Sequence, residues 1–274
     1  MAKSANGLWL LLGSLSLFAC GQAEPPEKAR AQPTIVSLNP CTDAILAEVA
    51  GPEQLLAISH YSHSAASTSM DLAKARRYNV TGGTVEEVVA LQPDIVVAGA
   101  FMPPATRAAL DDLGFEVVTF GVVSSISDAR TQIRDLAQLA GAVDSGDRLV
   151  ADVDAALLNA KPAGDAISAV LWQPSGIVPG EDALVSELLR HAGFTSHSAA
   201  MGLQQADYLS LERMLTNPPE VLLLAGQERS QQHPVLGQLP DTHRATLDSS
   251  LLYCGGPTII RMMDRLSHIR GEIG

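Results

Sequence analysis

From Ser125 to Lys161 the chain has no proline and carries two successive apolar stripes at helical spacing. Ile126, Ala129, Ile133, Leu136, Ala137 and Ala140 make the first; Leu149, Val150, Val153, Ala156, Leu157 and Ala160 make the second. Both follow the i, i+3, i+4, i+7 rule of an amphipathic helix. Gly141 is placed to end the first helix, and Asp144 or Ser145 to cap the second. From Asp144 to Ala160 a helix is roughly 25 Å long at ~1.5 Å per residue, enough to span a small domain. The stretch therefore predicts a rigid helical connection between whatever lies on either side of it.

Both flanks read as strands alternating with helices. Before the connection, strands are expected at Thr34–Leu38, Leu55–Ser59, Asp94–Ala98 and Glu116–Phe120, with helices at Thr42–Ala50, Val85–Leu91 and Pro104–Leu113. After it, strands are expected at Ala166–Trp172, Val221–Ala225 and Leu251–Cys254, with helices at Glu181–His191, Leu209–Leu215 and Thr258–Ile269. Continuous apolar strands separated by helices imply parallel sheets covered on both faces. An internal echo links the halves. Val85 to Gly99 matches Leu211 to Gly226 with one insertion: an acidic residue opening a short helix, a proline stop, then a buried strand ending in glycine. The expected fold class is α/β, with two similar lobes of mainly parallel sheet joined by one long rigid helix, and a ligand cleft between them. The expected boundaries are 34–125 for the first lobe, 126–161 for the connecting helices and 162–274 for the second lobe.

The N-terminus reads as an address. Lys3 precedes an apolar run from Leu8 to Phe18 of ~11 residues, where a bilayer span takes about 20. The run ends in Leu17-Phe18-Ala19-Cys20-Gly21, similar to a bacterial lipobox with Cys20 as the lipidated residue; cleavage near Ala23 is the alternative. Residues 1–20 are thus a signal peptide, and 21–33, rich in Pro, Glu and Ala, a tether. Export places the chain in an oxidising compartment. The net charge of −12 and the absence of a basic cluster argue against a nucleic-acid partner.

In open parallel sheets ligands bind beyond the C-terminal strand ends, so residues just after each strand are the candidates. In the first half these are Asn39, Cys41, His60, Tyr61 and Phe101; in the second, Trp172, Gln173, Arg229 and Cys254. Only 4% of residues are aromatic, so a Tyr in a polar loop such as Tyr61 points to a cleft, whereas Trp172, ending an apolar run, fits core and cleft equally. His60 and His63 lack a third metal ligand in view, and no intrinsic metal or cofactor is expected. Cys41 and Cys254 are read as inert or as facing each other across the cleft. A disulfide between them is not expected, because it would lock the lobes. No nucleophile elbow, phosphate loop or zinc-protease helix is present, so no catalytic residues are assigned.

The segment Ile35 to Leu46, then Leu56 to Ser59, then Glu86 to Ala98, together with Leu209-Ser210-Leu211-Glu212, resembles the iron-chelate and cobalamin family of substrate-binding proteins of ABC importers. The resemblance runs from about Thr34 to the C-terminus. It implies a monomeric bilobal receptor in the periplasm, tethered by lipid if Cys20 is modified, that hands cobalamin, a ferric siderophore or haem to a membrane permease dimer. It also implies that one acidic residue per lobe, Glu86 and Glu212, docks on the permease, and that Tyr61 contacts the ligand. Two other readings are a zinc or manganese receptor of the same architecture and an exported hydrolase.

Overall fold

The computed structural model describes residues 32–162 and 164–273. The expected signal peptide with Cys20, and the tether up to Ala31, lie outside the described residues. The last two tether residues already belong to the folded body: the Gln54 amide donates to the Pro33 carbonyl at 3.0 Å, and Gln32 donates to the Gly141 carbonyl at 3.2 Å.

The first sheet comprises β1 (Ile35–Ser37), β2 (Leu55–Ser59), β3 (Val80–Thr81), β4 (Ile95–Gly99) and β5 (Glu116–Phe120). All are parallel, in the order β3-β2-β1-β4-β5. Helices α1 (Pro40–Val49), α2 (Leu72–Ala75), α3 (Val85–Leu91) and α4 (Pro104–Asp112) connect them. Next come α5 (Ile126–Leu139) and α6 (Val143–Asn159). The second sheet comprises β6 (Ile167–Trp172), β7 (Phe194–Ser196), β8 (Val221–Ala225) and β9 (His243–Leu247), all parallel, in the order β7-β6-β8-β9. Helices α7 (Leu184–His191), α8 (His197–Ala200) and α9 (Leu211–Thr216) lie between its strands, and α10 (Pro257–Ile273) closes the chain.

Strand alternation explains the layering. In β1 and β4, Ile35, Ile95 and Val97 point to one face, and Val36 and Val96 to the other, where Val88 of α3 and Leu110 of α4 cover them. In β6 and β8, Leu171, Val221 and Leu223 point to one face, and Val170, Trp172 and Leu222 to the other, against Met214 of α9. The first-named faces of both sheets share one hydrophobic core, filled by α1, α5, α6, α7 and α10. The long helix expected to join the lobes is α6, and it packs in a layer with α1, α5 and α10.

Within that layer α5 and α6 touch closely. A Cβ at Gly146 would lie 2.4 Å from the Cβ of Ala137, so only glycine admits this approach. Arg130 pairs with Asp154 across the two helices at 2.6 Å. Gly141 ends α5 with φ +65° as expected. Neither Asp144 nor Ser145 caps α6. The chain re-enters helix directly after the turn, and Ala142 stands at the cap with no side-chain bond.

Several elements differ from expectation. Leu251–Cys254 is not a strand; Ser249–Leu251 forms a single 3-10 turn leading into α10. The fourth strand of the second sheet is β9, whose half-buried alternation lacks the continuous apolar run of a central strand. Strands β3 and β7 are too short and polar to stand out in the sequence. Finally, α10 belongs to both sides: Ile259 and Met262 sit in the shared core, and Thr258 and Arg261 both donate to the Ser69 carbonyl in the first half.

Candidate functional site

In each sheet the strand order reverses between the first strand and the one that ends the internal echo, β1/β4 and β6/β8. A crevice is expected there, at the C-terminal ends. Each crevice has a glycine beside it. A Cβ at Gly99, ending β4, would lie 2.6 Å from the Asn39 amide; one at Gly226, just after β8, would lie 2.7 Å from the Gln231 side chain and 3.0 Å from Pro174. The echo noted in the sequence therefore marks equivalent positions of the two sheets.

Three adjoining cavities occupy these strand ends. One of about 780 Å³ runs along the first sheet and is lined by His60, Tyr61, Phe101, Met102 and Glu86, among others. One of about 730 Å³ runs along the second and is lined by Gln173, Glu181, Asp182, Gln204, Gln205 and Tyr253, among others. A smaller one of about 200 Å³ lies between, sharing Asn39, Gly99 and Phe101 with the first and Val122, Val123 and Tyr253 with the second. Together they form a groove with large aromatic side chains in the open: Tyr61 is 54%, Phe101 86% and Tyr253 58% exposed.

Cys41 and Cys254 line the floor, and they are bonded: S–S 2.04 Å, Cα–Cα 5.1 Å. The expectation that they would not pair is overturned. Its premise was that the lobes must move freely, but a core common to both already ties them, so the crosslink restrains little that packing has not restrained. Neither sulfur is free to ligate.

The other candidates divide. Asn39 lines the groove, but its carboxamide oxygen caps α1, accepting from Cys41 N–H at 2.8 Å and Thr42 N–H at 3.4 Å. Trp172 is only 1% exposed, and its indole N–H donates to the Leu209 carbonyl at 2.9 Å. It is core, in line with the apolar run it ends, and offers no face to the groove. Arg229 is exposed after β8 but lines none of the three cavities. Gln173 does line the groove. Tyr253 was missed, because it stood in a presumed strand. Its signal was the rarity of aromatics combined with the Gly255-Gly256-Pro257 turn behind it.

Tyr61 is presented by a 3-10 turn, His60–His63, anchored from below. Asp43 of α1 is fully buried and accepts the Ser59 N–H at 3.0 Å and the Ser62 hydroxyl at 2.6 Å. Burial pushes its carboxyl up to about 8, against the lowering effect of hydrogen bonds from Ser37, Ser62 and the Ser59 backbone. The turn thus rests on a carboxyl that is largely neutral at pH 7. His60 Nδ1 lies 3.3 Å from the Thr81 carbonyl and His63 Nε2 3.0 Å from that of Ala75, so the two rings are held on separate backbone groups. Among the described residues no three His, Cys, Asp or Glu side chains converge as a metal site.

Glu86 and Glu212 occupy the same position in α3 and α9. Each is the second helical residue after a hydroxyl cap, Thr84 or Ser210, and each is exposed without an ion-pair partner among the described residues. The neighbouring Glu87 is committed differently. It completes a capping box with Thr84, and the Thr81 hydroxyl bonded at 2.8 Å holds its carboxyl below the usual range.

Comparison with known proteins yields a family and a fold. The profile of the periplasmic binding protein family matches residues 35–242. No curated protein sequence matches the chain. Among solved structures, the periplasmic heme-binding protein RhuT from Roseiflexus sp. RS-1 is similar with a TM-score of 0.69 at 20% identity, covering 88% of this chain and 100% of that one. The vitamin B12 binding protein BtuF of Vibrio cholerae gives 0.68 at 17%, covering 88% and 98%. The heme-binding protein HutB of Vibrio cholerae gives 0.71 at 16%, covering 87% and 98%.

Proposed function

Because the chain belongs to the periplasmic binding protein family, whose members are solute receptors and not enzymes, we propose that it captures a metal chelate of macrocycle or siderophore size for an ABC importer. The observation that carries this reading is the groove at the two sets of strand ends, walled by Tyr61, Phe101 and Tyr253 over a disulfide floor. Exposed aromatic faces with a few polar groups suit a large, partly apolar ligand. Solved proteins of similar fold bind heme or vitamin B12. A receptor for free zinc or manganese is less well supported, since His60 and His63 are spent on separate carbonyls.

The chelate is the cargo, and the protein needs no resident cofactor. Tyr61, Phe101, Tyr253 and Gln173 are the assigned contacts. Glu86 and Glu212, one per sheet and exposed, are the assigned docking points for permease cations. The receptor works as a monomer in the periplasm, with a lipid on Cys20 as its tether; loss of palmitate labelling in Cys20→Ala tests the tether. Tryptophan-fluorescence titration with cyanocobalamin, haemin and ferric hydroxamates, corrected for ligand absorption, tests the central reading. Binding of at least one below about 10 µM, roughly −7 kcal/mol, is expected; binding of none refutes it.

A further inference from the structure

The residues lining the three cavities include no lysine or arginine. They include three carboxylates: Glu86 at the first-sheet end, and Glu181 and Asp182 at the second. All three are exposed. Glu181 has only a loose partner, Arg190 at 3.9 Å, and the other two have none among the described residues. The nearby cations are engaged elsewhere or stand outside. Arg261 is bound to the Ser69 carbonyl, Arg107 to Asp111 at 2.8 Å, and Arg229 lines no cavity. The neutral polar groups are mixed: the Asn39 and Gln205 amide oxygens are engaged by backbone N–H groups, which leaves their amide N–H groups to the groove. Gln132, which lines the floor, donates its Nε2 to the Gly121 carbonyl at 3.2 Å, and its buried Oε1 has no hydrogen-bond partner. One of its two amide N–H groups is thus committed, and the oxygen is left to accept.

A groove with low-dielectric walls and one sign of charge focuses its field on whatever enters. A ligand carrying carboxylates or catecholates would meet Glu181 and Asp182 with no cation to compensate, and burying an unpaired charge is costly. A ligand whose periphery is amide, hydroxyl or ammonium would find acceptors and favourable potential. Resting on the receptor reading above, we infer that this groove selects chelates that are neutral or cationic and rejects anionic ones. Tyr61, Phe101 and Tyr253 supply the apolar contact common to both classes; Asp182 and Glu181 supply the discrimination.

The test is a set of direct titrations at low ionic strength with cationic ferrioxamine B, neutral ferrichrome, neutral cyanocobalamin, trianionic ferric enterobactin and the dicarboxylate haemin. The neutral or cationic probes are expected to bind at least about tenfold tighter than either anion. In Asp182→Lys the preferred probe, if cationic, is expected to weaken about tenfold, and binding of ferric enterobactin or haemin to strengthen. Both changes should shrink in ~0.5 M salt, where screening is short-ranged. Asp182→Asn should move the same way by less. Asp182 is exposed, and an unchanged melting temperature shows that the variant is folded. If ferric enterobactin or haemin binds as tightly as the best neutral or cationic probe, the charge inference falls while the receptor reading stands. If no probe binds below about 10 µM, both fall.

Discussion

Cys41 at the start of α1 and Cys254 just before α10, 213 positions apart, are joined by a disulfide beneath the groove. The bond closes nearly the whole folded body into a loop. Crosslinks of this kind act mainly on the unfolded chain and contribute about 2–5 kcal/mol. Cys41→Ser with Cys254→Ser is therefore expected to lower the melting temperature by about 5–15 °C, and reductant should do the same to the wild type. Ligand affinity should change less than threefold, since the shared helical core still holds the groove. A large loss of affinity at unchanged stability would mean that the disulfide shapes the site directly.

Tyr61 and Phe101 present exposed rings to the same cavity. Truncating either to alanine removes an aromatic contact without disturbing a core. Tyr61→Ala and Phe101→Ala are each expected to weaken the chelate about tenfold or more, equivalent to ~1.4 kcal/mol, with no change in melting temperature. Trp172→Ala should behave oppositely: as a buried side chain it should cost about 3–5 kcal/mol of stability. Equilibrium unfolding measured beside fluorescence or absorbance titration separates the two behaviours.

Glu212→Ala, outside the three cavities, is expected to leave chelate affinity within twofold, and combined with Glu86→Ala to reduce uptake by the reconstituted importer at least tenfold. Both carboxylates are exposed and have no ion-pair partner among the described residues, so stability should not move. Equal loss of binding and uptake would refute a docking role.

Asp43 gives a pH signature. Its folded carboxyl is pushed up to about 8 from an ordinary value of 3.8, chiefly by burial. Between those values the folded state binds the proton and the unfolded state does not, so this group's contribution is fully present below about pH 4 and declines as pH rises through about 8. Asp43→Asn removes the titration. Its stability relative to wild type should rise by more than about 1 kcal/mol between pH 5 and pH 8.5, as read by urea unfolding at the two pH values. A flat difference would show that Asp43 is ionised in the fold.

Much of the architecture was legible because its signals are local. Continuous apolar strands, helix stripes and proline stops placed β1, β2, β4, β5, β6, β8 and the helices α3, α5 and α6 within a residue or two. The positions of Tyr61, Phe101 and Gln173 followed from one topological rule about strand ends. What stayed hidden depends on pairs distant in sequence. Nothing local shows that Gly146 meets Ala137 or that Cys254 meets Cys41. Nor does anything local show that Trp172, next to a rim residue, turns its ring to the opposite face of its sheet. Edge strand β9 escaped because half-buried polar alternation resembles a loop, and the strand expected at Leu251–Cys254 in its place concealed Tyr253.

Helix α10, the last element of the described body, covers apolar surface on α1 and holds the Ser69 carbonyl through Thr258 and Arg261. During synthesis the first sheet is thus made early but cannot complete its packing until residues 257–273 arrive. A truncation that removes α10 would disable the Tyr61 side of the groove, although no residue of that side had been deleted.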